Sequence, residues 1–201
     1  MIPMMVEILM NTPNHENLPE VQQVVRTYVA NTTGKQTIYQ MIQLAEEVKK
    51  RGGQPKDPLR YKEQYHDLLM EHITNRLADL RSGQLAPEEM TVPGALQALE
   101  QISQEGISCF LASGTDENFV LDEAKLLGVT PYFSKIYGAL DDYQNFSKRM
   151  VIQKIIQQNN LKGPELVAFG DGFVEIEDTK AAGGIAVGLA TNEADRHGVD
   201  A

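Results

Sequence analysis

Cysteine is almost missing from this chain: Cys109 is the only one among 201 residues, and it lies in an apolar run. An intramolecular disulfide is therefore excluded, and a reducing, cytoplasmic setting is the simpler expectation. A catalytic thiol would want a base beside it in the sequence. None stands there, so Cys109 reads as a small buried hydrophobe. Basic residues are also scarce. Lys and Arg number 18 against 28 Asp and Glu, a formal charge of −10. Nucleic acids are held by clustered cations, so this balance argues against a nucleic-acid partner. No stretch approaches the roughly 18 consecutive apolar residues of a membrane-spanning helix, so no membrane association is expected. The opening MIPMMVEILM carries no basic segment and does not read as a signal peptide. Internal repeats and low-complexity tracts are likewise missing.

What the chain has is 42% hydrophobic residues, enough for a packed core, distributed with two different periods. The first half reads as helix throughout. Met1 to Asn11 is apolar. Leu18 to Asn31 begins with Leu18-Pro19, a helix-start pair, and sets Val21, Val24, Val25, Tyr28 and Val29 on one stripe. Gln36 to Arg51 carries Ile38, Met41, Ile42, Ala45 and Val48 on one face and closes at Gly52-Gly53. Leu59 to Leu80 places Tyr61, Tyr65, Leu68, Leu69, Ile73 and Leu77 inward, and Ser82-Gly83 ends it. No β-rich run interrupts these four. An all-helical domain is expected over residues 1–88, with the boundary falling near Ala86 to Thr91.

The second half, residues 89–201, alternates short apolar runs with helical segments. Pro93-Gly94 opens a helix through Gln104, and Ile107 to Ala112 is a buried strand. Asp116 to Leu127 is a helix, Lys135 to Ala139 a weak strand, and Ser147 to Asn159 a helix with Ser147 as N-cap. Leu166 to Phe169 is a strand, Val174 to Ala182 a helix, and Ile185 to Ala190 a strand. Four strands interleaved with helices imply an α/β, Rossmann-like, doubly wound parallel sheet. Ligands in such sheets sit at the carboxyl ends of the strands, so chemistry should be sought there.

Three strand ends carry candidates. After the Ile107 strand comes Ser113-Gly114-Thr115-Asp116. A hydroxyl and a glycine at a strand-to-helix junction can bind phosphate through the Ser113 hydroxyl, backbone N–H groups and the helix start. Ser113 or Thr115 serving only as a helix cap is the alternative. After the Leu166 strand comes Gly170-Asp171-Gly172-Phe173-Val174-Glu175. Two carboxylates four residues apart at a helix start suit Mg²⁺, an oxygen-seeking cation that keeps some of its waters. The alternative is a tight turn with Asp171 as cap and Glu175 as a first-turn acid. Lys148 begins the intervening helix, where its charge could offset that of a transferred group. It could equally be solvated surface, and Lys154 on the same helix competes for the role.

The order of these features resembles the haloacid dehalogenase superfamily, in particular its phosphoglycolate phosphatase-like members with a helical cap. A Pro-Gly helix start, a strand ending in Ser113-Gly114-Thr115, Lys148, Gly170-Asp171-Gly172-x-x-Glu175 and the turn Lys180 to Gly184 before Ile185 to Gly188 carry the resemblance. It covers Val92 to Asn192 strongly and the helical half only in architecture. It implies that Ser113 hydrogen-bonds phosphate, Lys148 clamps charge, Asp171 is a metal ligand and Glu175 the second acid, where many relatives have Asp. It also implies Mg²⁺ as cofactor and a small phosphorylated metabolite as substrate. In the cap, Thr33-Gly34-Lys35-Gln36 is the candidate specificity segment, being polar, glycine-hinged and at a helix start. Loop-and-cap duty is the plainer reading of each of those residues.

One departure from the family pattern matters. The family's nucleophile lies in an Asp-x-Asp-x-Thr segment after the first strand, and no Asp-x-Asp occurs in this sequence. Asp141 and Asp142 are adjacent and lack the preceding apolar strand. The expectation is a parent chain longer by about 20 residues at the start, judged from usual strand and loop lengths. A catalytically silent phosphate- or partner-binding domain is the other reading. The chain also stops soon after a helix begins at Asn192 to Arg196. A sheet lacking its central strand would have unpaired edges, so low stability, filling by another segment, or a homodimer is expected.

Overall fold

The computed structural model describes residues 1–32, 34–140 and 146–189. Expectations concerning Thr33, Asp141, Asp142, Ala190 and the helix at Asn192 to Arg196 fall outside the described residues. The chain divides into two compact units, Met1–Asn75 and Arg76–Ala201.

The first unit is helical. Helix α1 (Ile2–Met10) buries Met4, Met5, Val6 and Leu9. Helix α2 (Leu18–Ala30) starts where Asn17 accepts a hydrogen bond from the Glu20 amide at 3.1 Å, and it buries Val21, Val25 and Tyr28. Helix α3 (Thr37–Lys50) buries Ile38, Met41, Leu44 and Val48, a 3.6-residue stripe. These three helices pack against one another. Gly52, at φ +72, turns the chain after α3 at a backbone angle that favours glycine. The long helix α4 (Pro58–Ser82) runs across the division between the two units. Its inward stripe holds only in part. Tyr61 is buried, Tyr65, Ile73 and Leu77 are half-buried, and Leu68 and Leu69 are exposed. Tyr39 of α3 is likewise exposed. Periodicity marks the apolar face of a helix without specifying what covers it.

The second unit is the α/β part. Its elements are α5 (Ala95–Gln104), β1 (Cys109–Asp116), α6 (Glu117–Leu126), β2 (Phe133–Ala139), α7 (Lys148–Asn159), β3 (Val167–Gly170), α8 (Phe173–Ala181) and β4 (Ile185–Gly188). Every strand pairing is parallel. Side chains alternate across the β1–β2 ladder, as the pleat requires. Tyr137 and Ala139, with Phe110 and Ala112, pack on Val151 and Ile155 of α7. Ile136, with Leu111, packs on Val120 and Ala124 of α6 and on Leu96 and Leu99 of α5. Helices on both faces make this the Rossmann-like, doubly wound arrangement, accompanied by an all-helical cap domain.

Two corrections concern the strands. The expected four-stranded sheet is two two-stranded ladders: among the described residues β1 pairs with β2 and β3 with β4. Apolar runs identify strands but not their neighbours, which are set by long-range hydrogen bonds. The first strand also ends later than Ala112 and runs through Ser113-Gly114-Thr115 to Asp116. There the ladder is irregular. Ala112 pairs with Tyr137 and Asp116 with Ala139, so four steps on β1 match two on β2. A bulge of this kind re-aims side chains while keeping the strand. Gly138 lies beside it. A Cβ there would come 2.6 Å from the Glu117 amide nitrogen, so only glycine lets β2 pack this closely on the start of α6.

Candidate active site

Lys148 is placed by the first turn of α7. The Ser147 hydroxyl accepts a hydrogen bond from the Met150 amide at 3.1 Å, fixing the helix start as the sequence indicates. From there the Lys148 ammonium reaches α8 and pairs with Glu175 Oε1, 27 residues further along the chain. Both side chains are largely buried. Burial pushes the Lys148 ammonium below the usual lysine range, against the opposing pull of Asp171 and Asp178. Lys148 thus pairs with Glu175 and is influenced by the charges of Asp171 and Asp178. Lys154 is elsewhere: its Nζ lies 5.7 Å from the Tyr137 ring centroid, and Lys135 approaches the same ring at 5.1 Å. The structure separates the two competing lysines, one toward the acids and one toward an aromatic ring.

Glu175 is a first-turn residue of α8 and follows the Gly170-Asp171-Gly172 turn after β3. Its Oε2 is buried and, among the described residues, has no hydrogen-bond partner. An orphaned buried carboxylate oxygen is costly unless a donor or cation completes it. Among the described residues no three His, Cys, Asp or Glu side chains cluster to hold a metal. Asp171 and Glu175 supply two carboxylates, and a hard divalent cation of the Mg²⁺ kind needs only one or two such ligands with water.

Ser113 lies in the β1 bulge, where its Oγ accepts a hydrogen bond from the Thr115 amide at 3.2 Å. That contact is the local turn expected of a capping hydroxyl. Among the described residues no hydrogen bond or ion pair joins Ser113, Gly114 or Thr115 to Lys148, Asp171 or Glu175. The structure therefore joins two of the four predicted residues, Lys148 and Glu175, by direct interaction, and Asp171 acts on Lys148 through its charge. In the helical unit, Gly34 has φ +86 and the Lys35 amide hydrogen-bonds to Thr32 O at 3.0 Å. Lys35 is exposed and Gln36 is buried. Asp178 was missed by sequence reasoning. It lies three residues beyond Glu175, the i, i+3 position that faces the same side of a helix.

The model of the haloacid dehalogenase-like hydrolase family matches residues 2–189. The chain belongs to the haloacid dehalogenase-like hydrolase family. Two solved structures have the same fold as this hydrolase-family chain. One, described as a β-phosphoglucomutase of Thermotoga maritima, is 15% identical with a TM-score of 0.51, over 98% of this chain and 82% of the other. The second, described as a phosphoglycolate phosphatase of Haemophilus somnus, is 13% identical with a TM-score of 0.58, over 95% and 80%. No curated protein matches the chain. Among the described residues no helix is long and apolar enough to cross a membrane.

Proposed function

We propose that this chain is the greater part of a Mg²⁺-dependent phosphomonoester hydrolase acting on a small phosphorylated metabolite. Its nucleophilic aspartate would come from a segment outside these 201 residues. The observation that carries this reading is the Lys148–Glu175 pair set in the field of Asp171. A buried ammonium beside two carboxylates is an arrangement suited to phosphoryl transfer. There the protein's main tasks are to position the group and to offset charge.

Each residue has a role in this scheme. Lys148 holds its charge close to the non-bridging oxygens of the transferred group. Ser113 and the Gly114 amide bind the phosphate from β1, beside Thr115, whose amide donates to Ser113 Oγ. Asp171 and Glu175 hold the divalent cation, which when bound supplies further charge neutralisation. The helical cap, assigned to residues 1–88 against a core of 89–201, excludes water and selects the substrate through Thr33 to Gln36. Within the same fold, a carbon-attacking dehalogenase would have no use for the Asp171/Glu175 pair. That pair favours phosphate chemistry, in keeping with the names of the two structural relatives. A reducing, cytoplasmic compartment suits the single free thiol.

The sequence also supports a second reading, a catalytically silent domain that binds phosphate or a partner, because it contains no Asp-x-Asp. Reading the coding DNA upstream of Met1 separates the two. An in-frame apolar strand ending in Asp-x-Asp-x-Thr supports the enzyme, and a stop codon supports the silent domain. In the extended form, Mg²⁺-dependent hydrolysis of p-nitrophenyl phosphate is expected, and Asp171→Ala should abolish it. Full turnover in that variant would remove Asp171 from the site.

A further inference from the structure

Gly170 and Gly172 flank Asp171, yet neither is at a backbone angle that requires glycine. Gly172 has φ −100 and ψ 145, an extended conformation open to any residue, and Gly170 has no positive φ. Something other than backbone freedom explains them. A Cβ built on Gly172 would overlap Glu175 Oε2 and lie 3.0 Å from its Cδ and 3.2 Å from its Oε1. A Cβ built on Gly170 would lie 3.2 Å from both Cβ and Cγ of Glu175. The two missing side chains therefore form a hollow. The stem of Glu175 lies against Gly170 and its carboxylate against Gly172. From that hollow Oε1 meets Lys148 while Oε2 is held buried.

We propose that Gly172 is a positioning residue: its missing side chain makes the space from which the Glu175 carboxylate holds Lys148. Helix geometry alone does not direct Glu175 to this place, because a glutamate has three side-chain torsions and many rotamers. With a methyl group at position 172 the far end of the side chain is what moves, since the backbone has no cause to. The carboxylate then leaves the hollow and the ion pair with Lys148 opens. An aspartate at 175 is one methylene shorter and carries its carboxylate away from position 172. The proposal thus couples the glycine at 172 to the length of the acid at 175. The effect on turnover rests on the phosphohydrolase reading; the effect on the ion pair does not.

The test is a double-mutant cycle on the full 201-residue chain, made of Gly172→Ala, Glu175→Asp and the pair. Two readouts are taken. The first is the scalar coupling across the hydrogen bond from Lys148 Nζ to the carboxylate carbon, by NMR. The second is the folding equilibrium constant from urea melts. Gly172→Ala alone should abolish the coupling signal and lower the folding constant by roughly tenfold, the range of contacting pairs. In the Glu175→Asp background the same alanine should have no effect on either readout. Equal effects of the alanine in both backgrounds, or an unchanged Lys148–Glu175 coupling in Gly172→Ala, overturn the proposal. If Gly172→Ala alone does not fold, the comparison of Glu175→Asp with the double variant still decides, since the alanine must be silent there. In the extended form with p-nitrophenyl phosphate, Gly172→Ala should lower kcat with little change in KM. Loss of coupling without loss of turnover would count against the phosphohydrolase reading while leaving the positioning of Glu175 intact.

Discussion

Arg51 and Glu16 are 35 residues apart and meet through two hydrogen bonds, 2.6 Å from Nε and 2.9 Å from Nη2. The third arm of the guanidinium, Nη1, donates to Glu47 Oε2 at 2.6 Å and to the Glu47 carbonyl at 3.0 Å. One buried cation therefore fastens the loop after α1 to the end of α3. Replacing Arg51 with Ala would leave Glu47 buried with only Lys50 and Gln43 to satisfy it. A destabilisation of about 3 kcal/mol is expected, as for a buried pair deprived of one partner. Urea melts of the variant check it, and a loss within error of zero would mark the network as marginal.

The same network gives the helical unit a pH dependence. The Arg51 hydrogen bonds hold the Glu16 carboxyl below the usual carboxylate range. Burial pushes the Glu47 carboxyl up, but hydrogen bonds from Arg51 and Lys50 outweigh it and leave it lowered. Folded values below the unfolded ones mean that the unfolded chain binds more protons at acid pH. The stability from these two groups is present above the ordinary carboxylate range and is lost as pH falls through their lowered folded values. Melting temperatures measured from neutral pH down through the acid range should fall more steeply in the native chain than in Glu47→Gln. Parallel curves would show that the network does not titrate with folding.

The Lys148→Met change should separate charge from bulk at the candidate site. In the extended form proposed above, kcat should drop by a factor on the order of a hundred to a thousand, the effect of removing one charge-stabilising donor. The methionine stem fills much of the same space, so the cause would be electrostatic. Lys154→Met should leave turnover near the native rate, because Lys154 lies against Tyr137 instead.

Leu9 is fully buried between helices of the first unit. Leu9→Ala should cost about 3 kcal/mol, combining lost transfer free energy with the cavity left behind. A thermal melt checks the size. At Gly138, a different mechanism should act. Alanine there would collide with backbone atoms of Glu117, which cannot swing away as a side-chain tip can. Gly138→Ala should therefore lower stability by about 1–3 kcal/mol through overpacking, which a urea melt checks.

Much of this molecule follows from its residues in order. Of the expected stripe on α3, Ile38, Met41 and Val48 are buried, since a 3.6-residue period needs no knowledge of neighbours, while Ile42 and Ala45 are half-buried and Leu44, outside that stripe, is fully buried. Ser147 predicts the start of α7 because capping is local. The order Ser113, Lys148, Asp171, Glu175 and the alternation of helices with apolar runs predict the fold and its family. Other features depend on atoms far apart in the chain. The pairing of β1 with β2, the bulge that carries Ser113, and the exposure of Leu68 and Leu69 are set by which surfaces meet. So is the choice of Lys148 over Lys154. The two lysines are alike in composition and lie on one helix, and only the packing of α7 on α8 places one of them beside Glu175. Charge type and helix register are written locally, whereas the partner of a charge is a distance, and distances across 27 residues exist only once the chain has folded.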